Sequence, residues 1–92
     1  MTSLPPAPVK PYPENSIEKK AYSIAESLAE YLPIMNDRNR LGFNLYRHLK
    51  GEGDDIQTIV RTNKFTIEKI SREELIQLIE QKVEEVKQEL FT

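Results

Sequence analysis

A chain of 92 residues, 38% hydrophobic and 30% charged, has the size and composition of one small globular domain. Its net charge of −2 is too near neutral to mark the whole molecule as a ligand for polyanions. The absence of cysteine excludes a disulfide framework and favours a reducing, cytoplasmic setting, and no run approaches the roughly 18 apolar residues of a membrane span.

Residues 1–15 hold five of the six prolines: Pro5, Pro6, Pro8, Pro11 and Pro13. Each ring removes an N–H and pushes the preceding residue to extended geometry, so the stretch is expected to be a polyproline-like arm. It lacks the basic flank and apolar core of a secretory leader. Pro8-Val9-Lys10-Pro11 fits the short PxxP pattern of proline-rich ligands. Pro8, Pro11 and Tyr12 are the arm's candidate contact residues, against the plainer reading of a tail with no partner.

A first helix is expected over residues 16–32. Asn15 and Glu18 read as a capping box at its start. Ile17, Ala21, Ile24, Ala25, Leu28 and Leu32 recur at helical spacing, and Pro33 ends the run. A second helix is expected over 37–50, with Asp37 as cap and Leu41, Leu45 and Leu49 on one face. Arg47, His48 and Lys50 crowd its last turn, where cations suit the dipole, and Gly51 stands where a left-handed C-terminal residue belongs. Gly42 is out of place inside a helix, at a cost of about 1 kcal/mol relative to Ala. Phe43, Leu45 and Leu49 also fit a strand, which leaves an α-β-β-β-α order as the alternative to a mainly α fold.

Residues 52–55 form a turn. The stretch 56–70 fits two structures. Ile56, Ile59 and Val60 have helical spacing, so a short helix followed by an extended segment is one reading. The density of β-branched residues and the alternation Phe65-Thr66-Ile67-Glu68 suit a β-hairpin turning at Thr62-Asn63. The last helix, 71–91, carries the strongest signals. Ser71 and Glu74 form an S-x-x-E capping box, with Ile70 and Leu75 placed as a hydrophobic staple. Ile76, Ile79, Val83, Val86 and Leu90 follow in heptad spacing. The domain organisation expected is therefore an arm, 1–15, and one small helical domain, 16–92.

Nothing in these residues assembles into a catalytic pattern, and neither a metal nor another cofactor is expected. The single histidine, His48, is explained by its place at a helix end. Gly51 and Gly53 precede two aspartates that would repel a phosphate, so they are a turn and not a phosphate loop. Charge is unevenly spread: residues 33–70 carry seven basic and five acidic side chains, whereas 71–92 carry three basic and six acidic.

Two functions fit. The first is a small non-enzymatic interaction protein, an adaptor, accessory subunit or regulator, binding through the arm and through Ile79, Val83, Val86 and Leu90 of the last helix. Its partner would be another protein or a second copy. A small core rarely supplies more than about 3–5 kcal/mol by itself, which favours association. The flanking charges favour an antiparallel neighbour, since Glu80 then meets Lys87 and Lys82 meets Glu89, whereas a parallel pair sets Lys82 against Lys87. That neighbour can equally be the first helix of the same chain. The second function is a nucleic-acid-binding regulator using Arg38, Arg40, Arg47, Arg61 and Lys64.

Overall fold

The computed structural model describes residues 16–91, and every regular element among them is a helix: α1 (Ile17–Ser27), α2 (Met35–Leu49), α3 (Ile56–Asn63) and α4 (Arg72–Phe91). The fold is mainly α, as the periodicity predicts. The strand alternatives for 37–50 and 56–70 are not adopted. Residues 56–63 are helical because Asp55 closes the first turn, accepting the Thr58 N–H at 2.8 Å. Ile56, Ile59 and Val60 then share one buried face. Their β-branching lowers helix propensity by a few tenths of a kcal/mol each, less than burial of each side chain returns.

Two starts and one end differ from expectation. Ser16 caps α1, its hydroxyl accepting the Lys19 N–H at 3.0 Å, while Asn15 lies outside the described residues. α2 begins at Met35, two residues before Asp37, and its N-cap Ile34 offers no side-chain acceptor. Regular helix in α1 stops at Ser27 and not at Leu32, five residues before Pro33, whose ring restricts only the residue next to it. Tighter turns, including Leu28 N–H to Ala25 and Tyr31 N–H to Leu28, still carry Leu28 and Leu32 into the core. α4 starts as predicted: Ser71 Oγ accepts the Glu74 N–H at 3.1 Å and Glu74 Oε1 accepts the Ser71 N–H at 2.8 Å.

The helices alternate in direction, and each packs on its chain neighbours, with α4 closing against α1. Arg38 of α2 bonds Glu26 of α1, and Gly42 lies against Tyr22, so α1 and α2 run antiparallel. His48 reaches the Asp54 carbonyl and Arg40 the Asn63 carbonyl, which sets α3 antiparallel to α2. Leu28, Leu32, Leu41, Leu45, Ile59, Leu75 and Ile79 fill the centre, each almost fully buried.

Gly42 is explained by the α1–α2 contact. A Cβ there would sit 2.4 Å from Cδ1 of the Tyr22 ring, so the missing side chain is the seat of that ring. Burial, then Glu18 and Tyr46, push the Tyr22 phenol above its usual value.

The segment between α3 and α4 is pinned at three places. Phe65 is buried, the Thr66 N–H donates to Asp37 Oδ2 at 3.0 Å, and the Glu68 N–H donates to the Tyr31 carbonyl at 2.9 Å. Lys64 (φ 56°) and Lys69 (φ 75°) bracket these anchors in the left-handed region, at roughly 1 kcal/mol each for a residue with a Cβ. Asp37 is the one buried charged side chain among the described residues. Its other oxygen takes Arg40 Nη2 at 2.9 Å, and Arg40 in turn lies over the Phe65 ring, 5.4 Å from its centre.

Two outcomes follow for stability. Gly42→Ala should lower the urea midpoint even though Ala is the better helix former, and the loss should shrink in a Tyr22→Leu background. Asp37→Ala should cost about 2–3 kcal/mol in urea unfolding, since it orphans the Thr66 N–H and one arginine contact. Asp37→Asn, which keeps an acceptor for Thr66, should cost less.

Candidate interaction surface

α1 and α4 lie antiparallel, tied at one end by Lys20 Nζ to Glu89 Oε1 (2.9 Å), while just beyond their other ends Lys69 Nζ meets Glu30 Oε2 (3.4 Å). Between them runs an open groove of about 280 Å³. Ile24 and Val86 form its floor, Ser23 and Ser27 its α1 wall, and Lys19, Lys82 and Glu85 its rim. The serines are small, and the Ser27 hydroxyl is already turned to its own helix, donating to the Ile24 carbonyl at 2.7 Å. The result is a shallow depression with an apolar base and charges of both signs around it.

The heptad stripe of α4 splits along its length. Ile79 and Val83 are buried in the chain's own core, with Ile76 beside them. Val86 and Leu90 are only half-buried. Within the chain α4 has α1 as an antiparallel neighbour, joined to it by Lys20 and Glu89 and not by the Glu80–Lys87 and Lys82–Glu89 pairs that two α4 helices would make. What the stripe leaves accessible is its last two turns, where Val86 meets the groove. Pro8, Pro11 and Tyr12 of the arm lie outside the described residues.

The basic set does not gather. Arg38 donates to Glu26 (3.2 Å) and to the Leu32 carbonyl (2.8 Å). Arg40 is held by Asp37, Arg47 lies 3.9 Å from Glu52, and Arg61 lies 3.4 Å from Glu73. The four acidic partners sit on α1, on α2, in the α2–α3 turn and on α4, so the arginines project toward different parts of the molecule. Lys64 is exposed at the C-cap of α3. Two arginines serve the end of that helix: Arg40 reaches the Asn63 carbonyl at 3.3 Å and Arg72 the Val60 carbonyl at 3.2 Å, satisfying acceptors that a helix C-terminus leaves open.

His48 faces the α2–α3 turn. Its Nδ1 is 3.1 Å from the Asp54 carbonyl oxygen. A carbonyl only accepts, so Nδ1 carries the proton. His48 and Asp55 also line a second depression with Ile56, Val83, Glu80, Glu84 and Lys87. Among the described residues no three His, Cys, Asp or Glu side chains are placed to hold a metal ion. No described helix is long and apolar enough to cross a membrane.

Sequence reading missed three exposed apolar side chains: Ile34, Met35 and Phe43, which are 43%, 62% and 50% exposed. The signal for Phe43 was present, because it stands off the Leu41–Leu45–Leu49 face of its helix. Ile34 and Met35 follow Pro33 at a helix start, where periodicity does not yet say which way a side chain turns. The chain matches no protein family, no curated protein and no solved structure with which it was compared.

The cap at Asp55 carries a pH dependence. The Thr58 backbone N–H, then the Thr58 side chain, and to a lesser degree the charge of His48 hold its carboxyl below the usual 3.8, against a small opposing effect of desolvation. A carboxyl depressed in the folded state stabilises fully above its unfolded value and loses that contribution as pH falls through the folded one. The stability of the wild-type protein should therefore fall on acidification below about pH 4 more steeply than that of Asp55→Asn, which keeps a cap acceptor but does not titrate. Urea midpoints measured between about pH 2 and 6 test this.

Proposed function

We propose that this chain is a small interaction protein, an adaptor, accessory subunit or regulator, that acts by binding another protein and not by catalysis. The observation that carries the reading is the α1–α4 groove. It offers an apolar base, small-residue walls and a rim of mixed charge, and it joins the accessible end of the α4 stripe. A depression of about 280 Å³ takes one or two side chains of a partner segment and not a whole cofactor. The rim charges suit a segment with its own charged residues on both sides of a small apolar one. The proline-rich arm leads directly into α1, the helix that forms one wall, so arm and groove can engage one partner together, each raising the effective concentration of the other.

The disposition of the arginines weighs against the nucleic-acid reading. A phosphate backbone is bound by cations that share a face. Here four of the five candidates are spent on acids of the same chain, spread over four elements.

Binding partners captured from native cells by the full chain provide the test. Val86→Asp with Lys82→Glu should abolish capture of a partner that uses the groove, while circular dichroism shows the fold retained. Removal of residues 1–15 should weaken the same capture. Capture insensitive to both changes would sink the groove reading. Oligonucleotide binding at low salt that collapses at moderate salt would instead establish the nucleic-acid function.

A further inference from the structure

The connection into α4 combines a firm anchor, a strained residue and an autonomous helix start within four residues. Up to Glu68 the segment belongs to the α1–α2 layer: Phe65 is buried, Thr66 is bonded to Asp37, and the Glu68 N–H is bonded to Tyr31. From Ser71 onward the chain belongs to α4, whose capping box closes with its own side chains and needs nothing from the rest of the fold. Only Lys69 and Ile70 lie between. Lys69 is held at φ 75°, where a residue with a Cβ is disfavoured. Among the described residues its side chain is tied by an exposed ion pair with Glu30, 3.4 Å long, of the kind that contributes little.

We infer that Lys69–Ile70 is a hinge through which α4 exchanges between two copies of this chain. Rotating Lys69 from the left-handed region to extended backbone releases its strain and carries α4 away from its own α1 and α3. The α4 of a second copy presents the same Leu75, Ile76, Ile79 and Val83 to the vacated site, so the core is rebuilt without new chemistry. The Arg61–Glu73 pair and the Arg72 bond to Val60 re-form between chains. The monomer keeps the short link, and the dimer gains relaxed hinges, so concentration decides between them. In the exchanged dimer each α1–α4 groove has one wall from each chain. This inference stands apart from the proposed function, because it concerns the chain's pairing with itself and reads out without any partner.

Opposed hinge substitutions test it on the full chain. Lys69→Pro, whose ring fixes φ near −65°, should drive the protein to a dimer in size-exclusion chromatography with light scattering. Lys69→Gly removes the strain that opening relieves, and should move the monomer–dimer midpoint toward monomer by about fivefold per hinge. Lys64→Gly is the control. It relieves the other left-handed lysine, but lies before the Phe65, Thr66 and Glu68 anchors, so it should leave the midpoint unchanged. Because the sequence has no cysteine, Lys20→Cys with Glu89→Cys reports the connectivity directly. Oxidation should cross-link the dimer between chains, and the monomer within one chain. A dimer whose disulfides stay within chains would overturn the exchange. So would monomers from both the wild type and a folded Lys69→Pro at the highest concentration reached after a heating and cooling cycle. If Lys69→Pro does not fold, the wild type and Lys69→Gly decide: equal midpoints, or no dimer in either, would overturn it.

Discussion

The Asp37 carboxylate is the constraint on which the arrangement of the helices depends. It is buried, yet each oxygen has a partner: Arg40 on its own helix and the Thr66 N–H twenty-nine residues further on. A buried charge with both lone-pair directions engaged is tolerated, and an unpaired one is not. This requirement places the segment after α3 against α2. Phe65 then drops into the core under the Arg40 guanidinium, and the Glu68 N–H falls beside the Tyr31 carbonyl. With both ends of α3 and the approach to α4 located in this way, α4 has one place to lie, across α3 and back along α1.

That route explains why the α4 stripe is not a free seam. A small four-helix core needs the last helix to complete it, so Leu75, Ile76, Ile79 and Val83 are consumed internally. α4 is nearly twice as long as α1, twenty residues against eleven, and its last turns run along the end of the shorter helix. Val86 and Leu90 are half-buried there, and the groove between the two helices is left open at the same end. The candidate surface therefore lies along α1 itself, from Lys19 to Ser27, against the last turns of α4. It needs no dedicated binding loop.

The electrostatics follow the same economy. Arginines in the middle of the chain look like a basic segment when counted along the sequence. In three dimensions they bridge elements or satisfy carbonyls in the α1–α2 connection and at the end of α3. Arginine suits this work because its planar fork donates to a carboxylate and a carbonyl at once, as Arg38 does with Glu26 and Leu32.

By itself the sequence determined the helical class, the apolar faces and the start of α4, because these rest on local periodicity and on a capping box whose partners are three residues apart. Only the tertiary structure decided the rest. Residues 56–63 became a helix because Ile56, Ile59 and Val60 had a core to face, which outweighed their β-branched preference. Asp37 became a bridge between distant segments and not a cap, since Thr66 is invisible to any local window around residue 37. Gly42 turned from a weakness into the seat of Tyr22 for the same reason: its use depends on a ring twenty residues away. Whether the α4 stripe faced its own chain or another was likewise undetermined by spacing, because periodicity says which side of a helix is apolar and not what lies opposite.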